Sequence, residues 1–66
     1  MRLSVNGEQR LFERVGDLAA LVVALGLDAR KVAVERNLQI VPRSTYAATR
    51  LAEGDRIEIV HFIGGG

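Results

Sequence analysis

One segment alone carries an apolar stripe of helical period, and it limits the chain to a sheet with a single main helix. Leu18, Leu21, Val22 and Leu25 fall at i, i+3, i+4 and i+7, the spacing that brings side chains onto one face of an α-helix. Asp17 stands just before the stripe, where a carboxylate accepts from the unpaired amides of a first turn. Gly26-Leu27 after it suits a Schellman stop, with glycine left-handed and leucine folding back. A chain of 66 residues reads as one small domain, residues 1–66. Such a domain buries only about 60% of the surface its unfolded form exposes, too little for a two-lobed enzyme with a deep cleft.

The rest of the chain alternates with a period of two. Leu3 and Val5 alternate with Arg2 and Ser4, Asn6-Gly7 interrupts, and Glu8 to Phe12 resumes. Asn-Gly between two such runs predicts a hairpin, because both turn residues must tolerate positive φ. Val32 and Val34 alternate with Ala33 and Glu35 as a third strand, and Asn37-Leu38 turns. Gln39-Ile40-Val41 makes a short fourth strand that Pro42 ends, since proline cannot donate to a ladder. Ser44 is expected to cap a short helical turn through Thr49, Leu51 to plug the core, and Glu53-Gly54-Asp55 to turn. A final strand runs from Arg56 to about Ile63. The expected architecture is α+β: four or five strands with one main helix packed on one face, the other face open.

The final strand places side chains on both faces. Ile57, Ile59 and His61 share one side, and Glu58, Val60 and Phe62 share the other. With Ile57 and Ile59 toward the helix, Val60 and Phe62 lie on the open face beside Gly64, Gly65 and Gly66. Two apolar residues there either fold over the sheet edge or form a docking patch for a partner. The outer side of the helix, Ala19, Ala20, Val23 and Ala24, is also uncharged. Alanine there serves helix propensity or a second contact surface.

Composition removes most reactive chemistry. Cysteine is absent, which excludes disulfides, a thiolate metal site and a persulfide on a side chain. The one histidine, His61, sits within a strand, so no catalytic dyad or triad is expected, and no metal site. Glu53 and Asp55 flank Gly54 as turn formers rather than ligands. No GxxxxGK[ST] phosphate cradle exists. Nine basic and eight acidic residues are spread along the chain, which points away from nucleic acid and membrane surfaces. No apolar run approaches the roughly 20 residues of a membrane span, and the N-terminal run lacks signal-peptide character. A cytoplasmic location is expected. What remains is the glycine end. Without β-carbons it stays thin, and three extended residues reach roughly 10 Å. Such an end is either leftover linker or an arm carrying its terminal carboxylate into a partner's narrow active site.

Val5-Asn6-Gly7, Ala33-Val34-Glu35-Arg36-Asn37, Val41-Pro42-Arg43-Ser44 and the run from Leu51 to Val60 leading into terminal glycines together resemble the small β-grasp, ubiquitin-like sulfur carriers. The likeness is closest to the ThiS-type carriers of thiamine biosynthesis and spans essentially the whole chain. It implies a mixed-sheet β-grasp fold and a protein-borne sulfur donor rather than an enzyme. A carboxylate with a pKa near 3.5 is ionised and a poor electrophile, so it must be activated. In this family an E1-like adenylating enzyme (ThiF-type), using ATP and magnesium, turns the Gly66 carboxylate into an acyl-adenylate. Sulfur from a donor such as a cysteine desulfurase system then replaces AMP, leaving a thiocarboxylate for a thiazole synthase (ThiG-type). Gly64 and Gly65 are expected to thread into the partner's active site, and Val60, Phe62 and Ile63 to dock. The carrier itself is expected to bind no cofactor. A molybdopterin-type carrier, usually longer, and a ubiquitin-like modifier or interaction module are the alternatives. Leu38 departs from the family, which commonly has glycine there. Its β-carbon disfavours a type I′ turn, so a wider hairpin is expected.

Overall fold

The computed structural model describes residues 1–62. Within them the alternating runs become β1 (Arg2–Val5), β2 (Glu8–Leu11), β3 (Val32–Arg36), β4 (Gln39–Val41) and β5 (Arg56–His61), and the apolar stripe becomes α1 (Leu18–Ala24). Two 3-10 segments, Ala29–Lys31 and Arg43–Ala48, complete the connections. The strand order is β2-β1-β5-β3-β4. β5 therefore lies at the centre, parallel to β1 and antiparallel to β3. The two hairpins, β1-β2 and β3-β4, join into one sheet only through this last strand.

The helix ends are built as their sequence indicates. Asp17 Oδ1 accepts from the Ala20 amide at 2.8 Å, satisfying one of the orphan donors of the first turn. Gly26 takes φ +74. Its amide donates to Val23 O at 2.9 Å, and the Leu27 amide donates to Val22 O at 3.1 Å, the bond pair of a Schellman stop. Leu18, Leu21 and Val22 are buried against Leu3, Val5, Val32, Val34 and Ile57 from the covered face of the sheet. Each such leucine contributes about 1.5–3 kcal/mol by leaving water. Phe12, Val15, Tyr46 and Leu51 close the core.

Three expectations are corrected here. Ala19 and Ala20 are half-buried and pack on the core, so the exposed apolar side of α1 shrinks to Val23 and Ala24. Ser44 caps nothing. Pro42, with its ring holding φ at −62, starts the Arg43–Ala48 turn earlier, and the Thr45 hydroxyl donates back to Pro42 O at 2.8 Å. That segment is tied to α1 by the Leu18 amide on Thr49 O and the Leu51 amide on Gly16 O, both at 3.0 Å.

The Asn37-Leu38 hairpin is also not widened. Arg36 pairs directly with Gln39, leaving two turn residues with φ +51 and +71. Tertiary bonds hold the first of them. The Asn37 amide donates to Arg56 O at 2.8 Å, Asn37 Oδ1 accepts from the Arg56 amide at 2.9 Å, and Asn37 Nδ2 donates to Asp55 Oδ1 at 3.0 Å. With Asn37 fixed, Leu38 closes the turn in the left-handed region despite a steric cost of about 1–2 kcal/mol.

Candidate functional site

The end of β5 is where the described fold meets the glycine tail. Alternation along β5 buries Ile57 completely and lays Ile59 against the core, leaving Glu58 and Val60 outward. Val60 is 62% exposed and Phe62, just past the strand, is 57% exposed. His61 sits exposed at the strand end. Ile63, Gly64, Gly65 and Gly66, expected to dock, thread and carry the reactive carboxylate, lie outside the described residues.

Register defines what surrounds Val60. It stands opposite Ala33, while Glu58 stands opposite Glu35, and Ile40 faces Glu35 from the far side. Directly opposed residues share a face, so Val60 and Ala33 form an exposed apolar pair beside a row of Glu58, Glu35 and Ile40. Arg56 Nε donates to Glu58 Oε1 at 3.0 Å, which offsets the repulsion of the acidic pair. Among the described residues, no group of three or more His, Cys, Asp or Glu is arranged to hold a metal ion. No helix among them is long and apolar enough to cross a membrane.

Three polar residues that the sequence marks only as turn residues also hold the fold together around β5. Asp55, read as a turn former, is only 7% exposed. Its carboxylate accepts from Arg36 Nε at 2.9 Å, Asn37 Nδ2 at 3.0 Å and the Ala52 amide at 2.8 Å. Burial alone would raise its pKa. The bonds from Asn37, Ala52 and Arg36, with the Arg36 charge, outweigh that and hold it below the ordinary 3.8. The signal was alternation: Asp55 has the parity of Ile57, and Arg36 that of Val34, so both point toward the covered face. Asn6, read only as a turn residue, bonds to Ile59 with both ends of its side chain. Nothing in the sequence marks that contact, since it spans 53 residues. Glu53, also read as a turn former, accepts from the Arg2 amide at 2.9 Å and ties the Glu53–Asp55 turn to β1.

A mixed five-stranded sheet with the last strand central and one main helix across one face defines a β-grasp domain. The ThiS family model matches residues 3–66, and the chain belongs to the ThiS family. The sulfur carrier protein ThiS of Bacillus subtilis is 37% identical over 65 residues, covering 97% of this chain and 98% of that one. The crystal structure of thiamine biosynthesis protein ThiS from Geobacter metallireducens superposes with a TM-score of 0.83 at 33% identity, covering 100% of both chains. A thiazole synthase of Paramagnetospirillum magneticum is 56% identical over 66 residues, which is 100% of this chain and 20% of that protein. The chain thus spans about a fifth of the length of this thiazole synthase and of that of Magnetococcus marinus, which is 50% identical over 66 residues.

Proposed function

We propose that this chain is a sulfur carrier of thiamine biosynthesis whose Gly66 carboxylate is the reactive group. An E1-like adenylating enzyme forms the acyl-adenylate with release of pyrophosphate. The terminal sulfur of a donor persulfide displaces AMP, and a thiol reductant frees the donor to leave the thiocarboxylate. A thiazole synthase takes the sulfur. The chain is a cytoplasmic reagent and recognition surface, and the catalysis belongs to its partners. ATP and magnesium are bound by the activating enzyme.

The observation that carries this reading is the recurrence of the whole chain in two settings. It aligns over nearly full length with a ThiS carrier protein and, equally completely, with part of a thiazole synthase. That pairing supports a donor that works beside the enzyme it supplies. In this scheme Gly64 and Gly65 thread into the partner's site, and Val60, Phe62 and Ile63 dock. The exposure of Val60 and Phe62 supports the docking role.

Intact-mass analysis tests the proposal. After incubation with ATP, magnesium, a persulfide donor and an E1-like enzyme, the protein should gain the difference between sulfur and oxygen, mapped to Gly66. An unchanged mass, with the enzyme proven active on another carrier, overturns it. Joining to a lysine instead would make the chain a modifier.

A further inference from the structure

β1 accompanies β5 for only two register positions, Ser4 with Arg56 and Val5 with Ile57. The Ser4 amide donates to Asp55 O at 3.0 Å and the Asn6 amide to Ile57 O at 2.9 Å. The backbone then leaves the sheet, because Asn6 at φ +51 and Gly7 at φ +82 reverse it into β2. The next rung needs an acceptor for the Ile59 N–H and a donor for the Ile59 carbonyl. The Asn6 carboxamide supplies both: Oδ1 accepts from the Ile59 amide at 2.7 Å, and Nδ2 donates to Ile59 O at 3.2 Å. A carboxamide offers the same donor and acceptor as a peptide group. Asn6 stands in for the peptide that β1 no longer provides.

We infer that Asn6 is a positioning residue for the C-terminal tail, fixing the β1-side edge of β5 at Ile59 so that the chain leaves the sheet in one direction. The opposite edge is fixed by Val60 paired with Ala33 and by the Phe62 amide on Lys31 O at 2.8 Å. The functional half rests on the reading of Gly66 as the reactive end. Gly66 follows Ile59 in the chain, so freedom gained at Ile59 is passed on toward the reactive end. Reacting groups tolerate displacements of only about 1 Å. The anchor therefore acts on everything that follows Ile59, the docking residues Val60 and Phe62 as well as the carboxylate.

Asn37 supplies the control, because it bonds the start of the same strand at Arg56. Asn6→Gly and Asn37→Gly each keep a residue that tolerates positive φ while deleting the side-chain bonds. Amide exchange at Ile59 and Phe62, corrected for global stability, should accelerate about tenfold or more in Asn6→Gly and stay near wild type in Asn37→Gly. Activation by the adenylating enzyme with ATP and magnesium should lose about tenfold in kcat in Asn6→Gly and stay near wild type in Asn37→Gly. Asn6→Asp is the second variant. It keeps the size and the bond from the Ile59 amide but sets a carboxylate oxygen against Ile59 O, and it should show the same kcat loss. Equal Phe62 exchange and equal kcat in the Asn6 and Asn37 variants would overturn the assignment. The exchange readout stands without any activation, whereas a wild-type chain that gains no mass at Gly66 fails the sulfur-carrier reading alone.

Discussion

The two hairpin turns begin alike and finish differently. Asn6 and Asn37 both take φ +51, and each uses its side chain to grip the backbone of β5. The first turn continues with glycine, the second with a leucine at φ +71 that is 68% exposed. Asn37 is backed by the buried Asp55 carboxylate, whereas among the described residues the Asn6 side chain hydrogen-bonds the Ile59 backbone. In both turns tertiary bonds to the end of the chain lock the first residue. With that residue held, the second position is filled by glycine in one turn and by a left-handed leucine in the other, so glycine is not obligatory there. The same contrast divides labour along β5: Asn37 sets where the strand begins, and Asn6 holds it near its end.

Removing Asp55 should break the contrast most strongly. Asp55→Ala strips the acceptor from Arg36, Asn37 and the Ala52 amide, and should cost about 2–3 kcal/mol in urea unfolding. A loss below about 1 kcal/mol would mean that the second turn stands without its backing. Acid does the same more gently. The Asp55 carboxyl lies below 3.8 in the folded chain, against about 3.9 in unfolded peptides. Its contribution is therefore complete above about pH 4 and is lost as pH falls through the folded value. The Arg56 amide should lose exchange protection in that window, while Ile59, bonded to an uncharged carboxamide, changes only with the whole molecule. Asp28, drawn down to about 2 by its hydrogen bonds from Arg30, titrates on a separate turn and should not move Arg56.

The glycine itself can then be exchanged. Gly7→Leu gives the first turn the sequence of the second. Among the described residues nothing lies within 4 Å of a β-carbon added at Gly7, so the cost expected is that of the backbone, about 1–2 kcal/mol by thermal melting. A much larger loss would show that Asn6 and Gly7 depend on one another. The reverse exchange, Leu38→Gly, should have the smallest effect. Relief of the left-handed leucine is partly offset by the extra freedom of glycine in the unfolded chain, leaving a gain of about 0.5–1 kcal/mol. No gain would place Leu38 among residues that stabilise the fold by contact.

Most local signals are legible in this sequence, and distant ones are not. The stripe of α1, its Asp17 cap and its Gly26 stop depend on neighbours within a few residues, as does the parity that places Val60 outward. The family resemblance supplied the mixed-sheet β-grasp fold, which does not follow from periodicity, and the central place of β5 was not legible. What escaped was carried by long-range bonds: Asn6 to Ile59, Asn37 to Arg56, Asp55 to Arg36. The width of the second hairpin was misjudged for the same reason, because the propensity of Leu38 was weighed without the bonds that hold Asn37. Ser44 was misread for a local reason, since Pro42 starts the turn sooner.

The parallel pairing of β1 with β5 also determines how the chain bears tension. A pull between Arg2 and Phe62 drags these neighbouring strands in opposite directions along their length. The bonds from Ser4, Asn6 and the Asn6 carboxamide lie across that pull and must yield together, whereas a hairpin tugged at its open end parts one rung at a time. A partner that grips the tail and draws back would move the domain as one piece rather than unravel it.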